Sequence, residues 1–227
     1  MLLAIDTATR VISLALHDGD RVLAESSWET ANHHTVELAP AVDAVLARAK
    51  MTPERLKGVA VALGPGSFTG LRIGLGLAKG LATGLEIPLF GVPTLEILAA
   101  AQPRFDGALI AILQAGRGRI CAQRFLWDME GWEPADDPAI MTWEALLGGL
   151  AEDEPVLISG ELRADSIQKV LAANAEGKRL TLAPAAHRLR RAAFLADRAW
   201  QRMAAGDRDD PYTLVPIYLH QPGVPHP

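Results

Sequence analysis

Residues 62–84 read ALGPGSFTGLRIGLGLAKGLATG, and the rest of the chain is best read outward from them. A run of apolar residues, Gly58 to Leu63, meets a glycine- and proline-rich turn and then leucines and small residues at helical spacing. This pattern predicts a buried strand that turns sharply into a helix of roughly Gly70 to Gly84. The turn leaves backbone N–H groups and the Ser67 and Thr69 hydroxyls near a helix N-terminus, where an anion can be held. It is not a P-loop, because no Gly-Lys-Ser or Gly-Lys-Thr follows at the required spacing and Lys79 lies well down the helix. It is not a G-x-S-x-G elbow either, and Ser67 has no identifiable histidine and acid partner. Gly70, Gly74 and Ala78 fall on one stripe of the helix, and Gly76, Gly80 and Gly84 on another. Each glycine costs about 1 kcal/mol relative to alanine in a helix. Such a stripe therefore implies a second backbone brought very close. That backbone is either the chain's own sheet or a partner's, and with two stripes one can serve each.

Upstream, β-type runs at Leu2 to Asp6, Val11 to His17 and Arg21 to Ser27 are separated by polar turns, giving three antiparallel strands. A helix follows in which Leu38, Val42, Val45, Leu46 and Ala49 recur at helical spacing, with Pro40 starting or kinking it. Thr52-Pro53-Glu54 predicts a short helical turn before the strand at Gly58. Downstream come a strand at Pro88 to Val92 and a helix at Thr94 to Ala101, and then Gln102 to Gly107 has the composition of a boundary. The pattern then partly restarts. Strands at Ala108 to Gln114 and Ile120 to Trp127 precede helix Thr142 to Leu150, strand Val156 to Ser159, helix Asp165 to Ala173 and a last helix near Leu189 to Ala205. A hairpin followed by alternating strand and helix, twice over, predicts two related α/β lobes. They are expected at residues 1–103 and 104–221, with the last helix able to pack back on the first lobe and a flexible tail at 222–227.

With 227 residues and 49% hydrophobic content, the chain can bury substantial cores. A formal net charge of -5 disfavours a protein that grips nucleic acid by itself. The single cysteine, Cys121, lies in an apolar strand pattern and reads as an inert buried thiol. No signal peptide or long apolar run marks export or membrane insertion, so the expected location is the cytoplasm. The Arg-rich run His187 to Arg191 reads as a solvated helix start that can contribute modestly to nucleic-acid or partner contact. The five tryptophans show no stacking-platform spacing.

GPGSFTGLRIG followed by a small-residue helix ending in AKGLA resembles the signature of the TsaB (YeaZ) family, and the opening LLAIDTATRVISLAL resembles that family's first hairpin. Pro93-Thr94-Leu95-Glu96 and Pro216-Ile217-Tyr218-Leu219 extend the likeness over nearly the whole chain. Two segments depart from the family pattern: Gln114-Ala115-Gly116-Arg117, where an Asp-Ala-Arg type is usual, and Ser159-Gly160-Glu161, where the turn is usually Gly-Asp-Gly-like. The resemblance implies an actin-like ASKHA fold of the ribonuclease H-like type, with mixed sheets flanked by helices in both lobes. It further implies a non-catalytic partner, required with a TsaD-like catalytic subunit and a TsaE-like ATPase, for threonylcarbamoyl modification of adenosine in tRNAs that read codons starting with A. On this reading tRNA is met only indirectly. No cofactor belongs to the isolated chain, and ATP or ADP binds at the level of the complex. The implied partner or homodimer surface is the glycine-rich helix, at Gly70, Leu71, Arg72, Gly74, Leu75, Leu77, Ala78 and Leu81.

Two other constellations carry chemistry. In actin-like phosphotransferases a hairpin acid helps to hold a metal-bound phosphate. Asp6, Thr7 and Thr9, with Gly64, Gly66 and Ser67, are accordingly read as vestigial phosphate or nucleotide contacts. Gln114 stands where a matching carboxylate would be needed, so the clamp is incomplete and Asp6 is expected to fix its turn by accepting backbone N–H bonds. TsaD-like proteins carry a metal on an HxxxH pair. Here His33 is followed four residues later by Glu37 and His34 by Leu38, so no metal site is expected, and His33 and Glu37 are read as exposed polar residues at a helix start. The alternatives to the partner reading are an actin-fold Mg-nucleotide-dependent ATPase or kinase and, third, a metallopeptidase, against which the missing HxxxH and HExxH pairs argue.

Overall fold

The computed structural model describes residues 1–31 and 33–219, and the tail expected at 222–227 lies outside the described residues. The chain divides into two compact units, one formed by Met1–Ile97 with Arg190–Tyr218 and the other containing Leu98–Leu189.

The first unit is built on a five-stranded sheet. Strands β1 (Leu2–Asp6), β2 (Val11–His17) and β3 (Val22–Glu29) form an antiparallel meander. After helix α1 (His34–Arg48), which runs through Pro40, and a 3-10 turn at Pro53–Arg55, strand β4 (Gly58–Gly64) pairs parallel with β1. Helix α2 (Phe68–Gly84) leads to β5 (Leu89–Pro93), which pairs parallel with β4, and helix α3 (Thr94–Ala100) follows. The sheet order is β3-β2-β1-β4-β5.

Side chains alternate along these strands, so each face has its own core. Leu3, Ile5, Leu14, Val59 and Val61 pack with Leu38, Val42 and Val45 of α1 and with Leu75, Ala78 and Ala82 of α2. Leu2, Ala4, Ala15, Ala60, Ala62 and Phe90 pack on the opposite face with Ala192, Leu195, Ala196 and Ala199, one stripe of the last helix, α6 (Ala192–Ala204). Alanine on both sides lets this helix lie close to the sheet.

The second unit repeats the plan. Strands β6 (Ala108–Gln114) and β7 (Arg119–Trp127) form a hairpin. Strands β8 (Trp132–Pro134) and β9 (Ala139–Thr142) then pair with successive stretches of the outer edge of β7. Helix α4 (Trp143–Gly149), strand β10 (Val156–Gly160), helix α5 (Ala164–Ala175) and strand β11 (Leu180–Leu182) complete it, in the order β11-β10-β6-β7-β8. Two parallel strands beside the first strand of a hairpin is the same arrangement as in the first sheet.

Strands β8, β9 and β11 have three or four residues each and no periodicity long enough to read from sequence. Pairing with longer neighbours defines them. Helix α2 begins at Phe68 rather than Gly70, because Ser67 caps it, its hydroxyl accepting from Gly70 N at 3.2 Å. Helix α6 begins at Ala192 rather than near Leu189, because Arg190 is drawn into the first unit by the contacts described next.

Candidate functional site

The turn between β1 and β2 is bonded to several other elements of the first unit. Ala8 N donates to Asp6 Oδ1 at 2.9 Å, the turn-fixing bond expected of this aspartate. Its other oxygen accepts from Arg190 Nε at 3.0 Å, in an ion pair whose side chains are 0% and 2% exposed. Arg190 Nη2 also donates to Thr9 Oγ1 at 2.7 Å and reaches Val11 O at 3.4 Å. The expectation that the Arg-rich run is a solvated helix start is therefore corrected at Arg190. A guanidinium beside a carboxylate carries its own counter-charge into the protein, and the geometry repays much of the desolvation. No motif around position 190 reveals this, because its partner lies 184 residues away.

The glycine turn is closed from within as well. Ser67 N donates to Ala8 O at 2.6 Å, and a Cβ placed on Gly66 would overlap that same carbonyl. Gly64, at φ +114°, donates its N–H to Thr94 Oγ1 at 3.0 Å, and Ile217 N donates to Leu63 O at 2.8 Å. Of the six residues read as phosphate contacts, Asp6, Thr7, Thr9, Gly66 and Ser67 are thus brought together, but bonded or packed to one another, to Arg190 and to α2. Gly64 lies at the end of β4 against Ile217.

Helix α2 presents two different faces. Thr7 Oγ1 donates to Gly70 O at 2.7 Å, and a Cβ on Gly70 or Gly74 would drive into Thr7 O or Thr7 Oγ1. Gly70, Leu71, Gly74, Leu75 and Ala78 are buried in their own unit. The expectation that they form a partner surface is corrected: the missing side chains admit the β1–β2 turn. Of the eight residues expected at an interface, Arg72 is exposed and Leu77 and Leu81 are half-buried. The second stripe, Gly76, Gly80 and Gly84, is exposed, and a Cβ at any of these positions would meet nothing within 4 Å. At its upstream end the Arg72 guanidinium sits 3.7 Å over the ring of half-exposed Phe68 and donates from Nε to Tyr218 Oη at 2.9 Å, with the two aromatic rings 5.2 Å apart.

The other sequence candidates are placed apart. His33 Nδ1 lies 3.8 Å from Glu37 Oε1. His34 is buried, and its Nε2 donates to Thr9 O at 2.9 Å. Among the described residues no group of three or more His, Cys, Asp or Glu side chains is placed to hold a metal. Gln114 donates from Nε2 to Glu161 O, and Gly160, at φ +129°, faces Ile112 O so closely that a Cβ would overlap it. Cys121 is buried in β7, and desolvation pushes its thiol up to about 12. Among the described residues no helix is long and apolar enough to cross a membrane.

Comparison with known proteins places this geometry. The family model described as TsaD, tRNA N6-adenosine threonylcarbamoyltransferase, matches residues 24–205. The tRNA threonylcarbamoyladenosine biosynthesis protein TsaB of Bacillus subtilis is 35% identical over 221 residues, covering 96% of this chain and 93% of that protein. The chain belongs to the TsaB family. The solved structure of YeaZ from Pseudomonas aeruginosa superposes with a TM-score of 0.75 at 25% identity, covering 96% of this chain and 99% of the other. A hexokinase of the ROK type from Thermus thermophilus, at 13% identity, covers 88% of this chain and 99% of its own with a TM-score of 0.51, and shares the actin-like fold alone. In this TsaB-family chain the hairpin acid of that fold is held by an internal arginine. Helix α2 of the same chain keeps an inner glycine stripe for the turn and leaves an outer one open.

Proposed function

We propose that this chain is a non-catalytic partner subunit in the threonylcarbamoyl modification of adenosine in tRNA, working beside a TsaD-type transferase and a TsaE-type ATPase in the cytoplasm. The observation that carries the reading is the identity to the Bacillus subtilis protein along almost the full length of both chains. The hairpin supports it. Asp6 is neutralised by Arg190 and the amide of Ser67 is spent on Ala8 O, which leaves little for a metal-bound phosphate. ATP or ADP is accordingly assigned to the assembled complex, and tRNA to its other subunits, in keeping with the net charge of -5.

The outer face of α2 is the proposed docking surface for the TsaD-type subunit and, in its absence, for a second copy of this chain. Arg72, Leu77 and Leu81 belong to it, beside a stripe whose glycines have no internal reason to lack side chains. Exposed glycines in a helix interior are a standing cost that a closely docked helix would offset. The reading is tested by reconstitution with tRNA and a threonylcarbamoyl-adenylate. The chain alone is expected to form no modified adenosine, and the TsaD-type subunit to form it at full rate only when the chain is added. Sustained modification by this chain and the adenylate alone overturns the assignment.

A further inference from the structure

The starts of three helices converge on the turn Asp6 to Arg10. His34 at the start of α1 donates to Thr9 O. At the start of α2, Ser67 N donates to Ala8 O and Thr7 Oγ1 donates to Gly70 O. The third connection comes from Arg190, two residues before α6, which grips Asp6 and Thr9. The roles alternate along the turn: Asp6 and Thr9 face the guanidinium, while Thr7 and Ala8 hold α2. Gly70 lets the Thr7 carbonyl approach α2 directly, Gly74 admits the short Thr7 side chain against the same helix, and Gly66, in the loop before α2, meets Ala8 O. The link runs through backbone and one short, buried, hydrogen-bonded side chain, so a shift of the turn must move the start of α2. Phe68 and Arg72, which frame the upstream end of the open face, lie on that same stretch.

We propose that Arg190 is a positioning residue for the partner face: by clamping the β1–β2 turn it fixes the first turns of α2 and the Phe68–Arg72–Tyr218 cluster in the geometry that docks. The proposal rests on the reading of the outer face of α2 as the docking surface. The guanidinium is suited to this role because one rigid planar group reaches a carboxylate, a hydroxyl and a carbonyl at once. Its position also ties the face to the point where the chain re-enters the first unit. Ala192 N donates to Ser13 Oγ at 2.8 Å and Ala193 N to Glu25 Oε1 at 3.1 Å, so the start of α6 is itself anchored and gives Arg190 a fixed base.

The test is hydrogen exchange followed by mass spectrometry on the full chain, with affinity for the TsaD-type subunit measured on the same samples. Arg190→Gln is expected to speed exchange in residues 64–72 by about tenfold to a hundredfold, the factor that loss of a charge-assisted hydrogen bond gives. Protection in β6, in the second unit, is expected to stay unchanged, and partner affinity to fall by a similar factor. Should circular dichroism show that variant unfolded, the pair Asp6→Asn with Arg190→Gln, which leaves no charge unpaired, carries the same test. Unchanged exchange at 64–72, a loss of protection spread evenly over the first unit, or unchanged affinity in a variant with faster exchange there would each overturn the positioning role. Gly76→Leu separates this from the partner-face reading, since it alters the face and not the clamp. If Gly76→Leu binds as tightly as the unmodified chain, the docking surface is wrong, while the exchange arm still decides whether Arg190 clamps α2.

Discussion

Gly74 and Gly76 are two positions apart in one helix, and their surroundings give opposite signs to the same substitution. A methyl at Gly74 would meet the buried Thr7 side chain, itself held to Gly70 O, whereas at Gly76 it would meet nothing. In urea denaturation Gly74→Ala should cost roughly 1–3 kcal/mol through overpacking. Gly76→Ala should instead gain just under ~1 kcal/mol from helix propensity. Equal effects of the same sign would contradict the assignment of the two faces. The sequence shows both stripes but not which one faces inward, because spacing fixes the angle between stripes and not the direction of either. Arg190 was illegible for a different reason: its burial depends on Asp6 and Thr9, far away in the chain, whereas its immediate neighbours Leu189 and Arg191 are exposed. Arg190→Ala leaves Asp6 buried and unpaired, so chemical denaturation should show a loss of about 3–5 kcal/mol. The burial of Cys121 follows from the apolar strand around it. Below pH 9.0, its ordinary value, the thiol is neutral in the folded and unfolded chain alike. Between 9.0 and about 12 only the unfolded chain ionises, so this residue's contribution to stability is full below that range and is lost as pH rises through it. Labelling by a thiol reagent at pH 8 should follow the rate of opening, and fast labelling of the folded chain would contradict the burial.

At the scale of elements, the contact between β3 and α1 adds an acid-side dependence. Trp28 Nε1 donates to Glu37 Oε2 at 2.8 Å. This bond is the largest influence holding the Glu37 carboxyl below its ordinary 4.5; desolvation opposes it, and Thr30, His33 and His34 add to it. A depressed carboxylate contributes stability that is present above its unfolded value and lost as pH falls through the folded one. Urea midpoints followed by tryptophan fluorescence should therefore decline below pH 4.5, and Glu37→Gln should flatten part of that decline. A variant with the same acid-side slope as the parent would show that the bond carries no linkage. The longer elements were legible because their periodicity is sustained, as in α1 and β1 to β4. Strands β8 and β9 were not, because each owes its existence to the exposed edge of β7, and edge pairing leaves no periodic trace in three or four residues. The start of α6 was missed by the same logic as Arg190, since a long-range ion pair, and not local propensity, sets where the helix begins.

At the scale of the whole molecule, the duplicated sheet order is the structural counterpart of the restart seen near Ala108 in the sequence. The fold and the family could both be read from the glycine motif and the hairpin. Which residues of the motif are available to a partner could not, because that depends on the packing of the turn. From the net charge of -5, the chain alone is expected to bind tRNA weakly. In a gel shift at physiological salt, saturable binding tighter than about micromolar would contradict it, since non-specific contacts fail in that range. The central claim is that this chain acts through the outer face of α2. Its most direct test is the rate of threonylcarbamoyladenosine formation on tRNA in the complete mixture, with Gly76→Leu replacing the parent chain. The account predicts a melting temperature equal to or above the parent's and a rate that falls to the level seen when the chain is left out. A variant that is folded, equally stable and supports the full rate would contradict it.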